Sequence, residues 1–397
     1  MNKKFVIIAT VFIDVLGMGI IIPTLPYYVE SFGVSAFVVT LLFSVFAFFA
    51  FFSAPFLGAL SDKIGRRPVM IASIISTSIG WYVFASANTI WFLFLGRIID
   101  GLAAGNFSTA QSYMADIAKD EKERTKNLGL MGAVFGVAFV VGPAIGGLLS
   151  NISPNFPFWC VGFLASLNVI NAYFNLPESH LERSMEKISF NPLSPIIRTL
   201  KDKKILPGML VWFLFGLAIS VQQAVFALYL GKVFSLGAFA AGLFMTGIGV
   251  IIILNQGYLL SHFWLKYFDE RDLELYLMGV FALGFFLLSS SVLSIFIVGL
   301  IGMTFGQSIL RVVLTSQIVA NSLDKKGEVL GAMTSVMSLS MIVGPLFAGA
   351  LFVSHVTWPY LISGGLAFVA LAILYINRKR MSKYDNDIEV PNDQTII

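Results

Sequence analysis

The chain has 397 residues, 57% of them hydrophobic and only 12% charged, with a net charge of +4. Soluble domains carry about twice that share of charge. The composition therefore excludes a water-soluble enzyme and indicates a chain built into a membrane.

A spanning helix needs about 20 apolar residues, and the chain offers twelve such runs. The first six fall at about 5–27, 36–59, 68–87, 90–115, 127–150 and 157–176. Six more fall at about 206–231, 235–258, 273–290, 292–318, 329–353 and 356–377. The first run has the outline of a signal peptide. It continues to about Pro26 without a small-residue cleavage site, so it reads as a retained span. The runs are continuously apolar rather than alternating, which argues for helices and against a barrel. Between runs six and seven lies a polar, basic connection. The expected organisation is a six-helix bundle over 1–176, a linker over 177–205, a second bundle over 206–377 and a tail over 378–397. The tail is polar, mixed in charge and expected to be disordered.

Charge sets the orientation. With a cytoplasmic N-terminus, all but three of the 26 Lys and Arg residues fall on the cytoplasmic side. Lys232 lies outside, and Arg97 and Arg311 lie within spans. That asymmetry is the positive-inside pattern. It predicts a multi-pass protein of the cell membrane with both termini cytoplasmic, and it accounts for the net charge without nucleic acid. An even number of spans per half gives both halves one orientation, related by an axis along the membrane normal. The sequence carries a matching echo. LGLMGAVFGVAFVVGPAIGGLL starts at Leu128, and LGAMTSVMSLSMIVGPLFAGAL starts at Leu330.

Charge inside a span costs about 2.5–3.5 kcal/mol on insertion scales, so such residues belong in a bundle interior or a wet cavity. Four qualify: Asp14, Arg97, Asp100 and Arg311. Arg97 and Asp100 share a helix face. They read either as an ion pair that holds its span or as a device in which Arg97 sets the proton affinity of a carboxylate. Arginine stays charged, so any transferable proton sits on Asp14 or Asp100. Asp14 is either a buried acid bonded to a neighbouring helix or a proton or substrate group. Arg311 binds an anion, or pairs with Asp14 or Asp100. Asn106, Gln222, Gln223, Asn255, Gln256 and Gln307 are candidates for lining a cavity or for bonding helix to helix. Gly132 with Gly136, and Gly142 with Gly146, have the spacing of close helix contacts, and Pro143 favours a bend.

The turn GALSDKIGRR, from Gly58 to Arg67, carries four charges within six residues: Asp62, Lys63, Arg66 and Arg67. Its spacing, GxLxDxxGRR, resembles the signature loop of the major facilitator superfamily. DVLGMGIIIPTLP (from Asp14), RIIDG (Arg97, Asp100), AFVVGPAIGG (with Gly142, Pro143, Gly146 and Gly147) and LPES (176–179) resemble its twelve-span drug:proton antiporters, including tetracycline-efflux proteins. Asp100 stands where that pattern more often has Gln, and Ala138 where it has the first Gly of the antiporter motif. The resemblance implies an all-α membrane protein with twelve transmembrane helices in two pseudo-symmetric bundles. It implies alternating access, with proton-driven export of a small amphipathic or hydrophobic compound. In this family the span 5 motif is implicated in limiting leak. The turn acts as a latch: Gly58 and Gly65 allow close approach or positive φ, Asp62 faces the start of span 11, and Arg66 pairs with Asp116 when the cytoplasmic side is closed. Arg67 adds inside-positive charge.

Two other readings stay open: carriage of a metabolite such as a sugar, amino acid or organic anion, and a non-transporting sensor on the same scaffold. No GxxxxGK phosphate loop is present, and His180, His262 and His355 match no metal spacing. The lone Cys160 can form no intrachain disulfide. No cofactor and no enzymatic activity are expected. The expected partners are a small-molecule substrate, protons and the bilayer, with a monomer as the working unit.

Overall fold

The computed structural model describes residues 3–179, 197, 199, 202, 204–320 and 326–388, with side chains from Lys4 to Arg378. Most of the 177–205 connection lies outside them, as do 321–325 and 389–397. Among the described residues every regular element is helical. A chain this apolar must satisfy its backbone groups internally, and helices do so within each span.

The first half comprises span 1 (Lys3–Glu30), span 2 (Ala36–Ile64), span 3 (Arg66–Ala85), span 4 (Ile90–Asp116), span 5 (Glu121–Leu149) and span 6 (Phe156–Asn175). The second comprises span 7 (Leu206–Phe234), span 8 (Ala238–Tyr267), span 9 (Glu270–Leu288), span 10 (Leu293–Ala320), span 11 (Lys326–Ser354) and span 12 (Trp358–Ile388). Eleven are long and apolar enough to cross a membrane. Span 9 completes the set of twelve, although Glu270, Arg271, Asp272 and Glu274 make its beginning polar. The helix of span 12 continues to Ile388, so the first part of the tail, expected to be disordered, is helical.

The packing repeats between halves. Span 1 lies on spans 5 and 6, and span 3 on spans 4 and 6; span 7 lies on 11 and 12, and span 9 on 10 and 12. The halves meet where span 2 packs on span 11 and span 5 on span 8. The repeat is exact at residue level. A Cβ on Gly147 would meet Phe239, and one on Gly349 would meet Phe37. The same sequence offset separates Gly147 from Gly349, Phe37 from Phe239, and Gly142 from Gly344.

These joints are not uniform along their length. The near face is the one that carries Lys3, and the far face is the opposite one. Toward the far face, Gly147, Gly242 and Gly249 press span 5 against span 8, and Gly349 presses span 11 against span 2. Thr246 donates to the Val140 carbonyl at 2.9 Å in the same seam. Toward the near face, Gly58, Gly132, Gly136, Gly257 and Gly331 have open space where a side chain would stand. These close contacts between the two bundles thus lie toward the far face.

Candidate functional site

Span 4 breaks after Leu102 and resumes at Asn106. The break separates a charged upper segment from a polar lower one. In the upper segment Arg97 is 3% exposed, and its Nη2 meets Asp100 Oδ2 at 2.7 Å. Three rings surround the guanidinium: Trp81 at 4.7 Å, Phe46 at 5.1 Å and Phe84 at 5.3 Å. Their π-faces offset part of the lost hydration of the cation. Thr77 of span 3 lies beside Asp100. Gly80 and Gly96 bring spans 3 and 4 together closely enough for this contact.

Asp14 of span 1 projects toward the same region. Asn106 and Asp100 of span 4 lie beside its carboxylate. Yet Asp14 Oδ1 is buried with no hydrogen-bond partner, as are Asn106 Oδ1 and Arg97 Nε. Buried polar atoms are rarely left so. Spans 1 and 4 therefore bring Asp14, Asn106, Asp100 and Arg97 into one cluster, with acceptor capacity left over for a proton, water or ligand.

The turn between spans 2 and 3 is differently organised from the sequence expectation. Gly65 has φ +109°, which an L-residue rarely adopts. Gly58 is helical, with neither a close contact nor positive φ, so the expected role for it does not hold. Arg66 does meet Asp116, at 3.1 Å, and also Asp62 at 2.5 Å and Ser61 Oγ at 2.6 Å. All four residues belong to the first bundle, so the expected Arg66–Asp116 pair is internal to that bundle. Asp62 is bonded to Arg66 rather than to span 11.

The sequence reading missed the residue that organises this turn. Glu178, in the LPES segment after span 6, accepts from Arg66 N at 2.8 Å and from Arg67 N at 3.2 Å. It caps the free amides that begin span 3 and complements its dipole. Arg67 also donates to the Tyr173 carbonyl at 2.7 Å and stacks on that ring. The LPES resemblance was a signal, but nothing local says that its Glu reaches a turn more than a hundred residues earlier.

The span 5 motif divides in two. Gly142 and Gly146 press on Leu16, Gly19 and Ile20 of span 1, Pro143 lies against Gly19, and Gly147 meets span 8. Gly132 and Gly136 pack against nothing within 4 Å, so their expected close helix contact is absent here. Gly344 presses on Ser220 of span 7, the counterpart of span 1.

In the second half Asn255 is fully buried. It donates to Ser308 Oγ at 2.6 Å and to the Phe305 carbonyl at 3.1 Å, and accepts from Trp264 Nε1 at 2.7 Å. Gln256 donates to the Ser308 carbonyl at 2.8 Å. Asn255 is thus a span 8–span 10 joint rather than a cavity wall, at the start of a π-helical stretch, Asn255–Trp264. Gln222 is buried with Nε2 unpartnered, whereas Gln223 and Gln307 are half-buried. Arg311 is exposed and pairs with neither Asp14 nor Asp100.

At the far face Tyr27 donates to the Ala227 and Leu236 carbonyls, at 3.0 and 2.8 Å, and closes over Gly231. Glu30 and Lys232, from opposite halves, attract each other beside it.

A pair of six-helix bundles with repeated packing matches a known family. The family model of the Major Facilitator Superfamily covers residues 7–271 and 257–391. The chain belongs to the Major Facilitator Superfamily. It is 32% identical over 390 residues to the class C tetracycline resistance protein of Escherichia coli, covering 94% of this chain and 95% of that one. It is 26% identical over 388 residues to the quinolone resistance protein NorA of Staphylococcus aureus, covering 96% and 98%. These relatives place it in the drug:proton antiporter branch of the superfamily, as its motifs implied. Among solved structures, the nucleoside transporter NupG superimposes with a TM-score of 0.78 at 14% identity, over 96% of this chain and all of that one. The human organic anion transporter MFSD10 does so with a TM-score of 0.69 at 21% identity, over 94% and 98%. The superfamily member described here is a multi-pass membrane protein and a secondary transporter by descent. Its relatives are transporters, not enzymes.

Proposed function

We propose that the chain is a proton-coupled exporter of small amphipathic or hydrophobic compounds, working by alternating access. The observation that carries this reading is Asp14: a carboxylate in span 1 with one buried, unpartnered oxygen, beside Asn106 and the Arg97–Asp100 pair. A carboxylate so placed takes up a proton when its surroundings are dry and releases it when water or a cation reaches it. The near face, which carries Lys4, Lys63 and Lys119, is the cytoplasmic one. A state open at that face admits a compound from the cytoplasm or from the inner leaflet. Proton uptake from outside and substrate release alternate with it. Movement of one charge through 100 mV supplies about 2.3 kcal/mol per cycle.

Closing the near face brings span 2 back onto the start of span 11. Asp62 then moves from Arg66 toward the free amides of that helix, while Arg66–Asp116 and Glu178 keep the turn rigid. The relatives' names make tetracyclines and quinolones the first compounds to test. In proteoliposomes with an imposed pH gradient, adding a transported compound releases protons in the parent chain. Asp14→Asn retains binding and loses this release. Undiminished proton release by Asp14→Asn sinks the assignment.

A further inference from the structure

Arg124 and Arg271 lie exposed in the polar first turns of spans 5 and 9, and four other described arginines are held by the protein. Arg66 has Asp62 and Asp116, Arg97 has Asp100 and three rings, Arg67 has Tyr173, and Arg378 has Asp272. Arg311 differs. Among the described residues its guanidinium meets no carboxylate, hydroxyl, carbonyl or ring. Only its backbone carbonyl is engaged, by Thr315. The side chain is exposed, and a guanidinium in the middle of a span needs a wet surface rather than lipid around it.

The helix geometry says which surface. On span 10, Gly299 and Gly306 face span 9, meeting Leu287 and Phe281. Ser308 faces span 8, where it bonds Asn255 and Gln256. Ile318 faces Gly208 at the start of span 7. At about 100° per residue, Arg311 points between the directions of Ser308 and Ile318, into the molecule and away from lipid. Gln307, one turn away, shares that side. The offset that relates Gly147 to Gly349 sets Arg311 against Thr109, one turn from Asn106. Arg311 therefore stands at about the depth of Asp14 and Asn106, on the opposite half, on the side of span 10 turned into the molecule.

We propose that Arg311 is the binding site for an anionic group, a carboxylate or its equivalent, on the transported compound. The compound's neutral or cationic end then faces Asp14 and Asn106. This deepens the transporter reading above and rests on it. A guanidinium matches a carboxylate with two parallel hydrogen bonds. A permanent charge that the protein leaves unpaired in a span is best accounted for by a partner that arrives with the cargo.

Rhodamine B and its ethyl ester test this, because they differ in whether the carboxylate is free. Binding is read by fluorescence polarisation on the purified full chain in lipid nanodiscs at pH 7. The parent chain is expected to prefer the acid by about tenfold or more. Arg311→Gln is expected to bring acid binding down to that of the ester, with ester binding within about twofold of the parent. Ester binding thus reports that the variant is folded. Arg311→Lys keeps the charge without the fork, and is expected to retain part of the preference. An acid-to-ester ratio unchanged by Arg311→Gln overturns the proposal and leaves the transporter reading standing. Acid binding that depends on Arg311, without movement of either dye across vesicles, supports the anion site and overturns the transporter reading.

Discussion

The two halves pack alike and carry different chemistry. Gly142 presses on span 1 as Gly344 presses on span 7, and Gly147 meets Phe239 as Gly349 meets Phe37. Yet the first half gathers half-buried Asp14 with buried Arg97 and Asp100, while the second offers Arg311 alone and spends Asn255 on a helix joint. The two halves share their glycine contacts and differ in where they place charge. A shared fold thus constrains the glycines of both halves far more than it constrains their polar residues.

The sharpest way to break this contrast is at Arg97. Arg97→Ala strands Asp100 in an apolar bundle and is expected to cost about 3–5 kcal/mol, seen as a large fall in thermal stability in detergent. Arg97→Leu with Asp100→Leu restores most of that stability without restoring proton-coupled flux. Restored coupling in the double variant would show that the pair is structural alone.

Packing comes next. Gly142→Val and Gly344→Val each force backbone apart and are expected to lose about 1–3 kcal/mol. Gly132→Val and Gly136→Val, which meet open space, lose under about 1 kcal/mol in the state shown. If those two block transport while leaving stability intact, the cytoplasmic half of span 5 closes on a partner during the cycle. Asn255→Ala is expected to cost about 1–3 kcal/mol, because Trp264 and Ser308 lose their partner, and to leave any preference for an anion untouched. A lost acid preference in that variant blurs the division between joint and cavity. The smallest effect is at Asp62. A charge at a helix start is worth about 0.3–1 kcal/mol, so Asp62→Asn is expected to slow initial export rates by about two- to fivefold at unchanged abundance.

Much was legible in the sequence. Twelve apolar runs, the Leu128 and Leu330 echoes and the GxLxDxxGRR turn carried the family and the two-bundle layout. Hydrophobic length and residue-type repeats are one-dimensional quantities, and a membrane turns them directly into helices. Within the site, the cluster of Asp14, Arg97 and Asp100 was also foreseeable, because a charge in lipid must find company. What the sequence could not rank was the polar residues. Asn255 and Gln307 look equivalent along the chain, yet one is consumed by span 10 and the other is half-open.

The sequence by itself determined that this chain crosses a bilayer as two sets of helices, because apolar length makes the spans and an even number per half gives both halves one orientation. Only the tertiary structure decided that Glu178 caps span 3, that Arg66–Asp116 lies within one bundle and that Arg311 is left unpaired among the described residues. Each of those facts depends on which side chains meet across distant segments. Spacing along the chain carries no record of such meetings, since the direction in which a helix presents a residue is fixed by its neighbours in space.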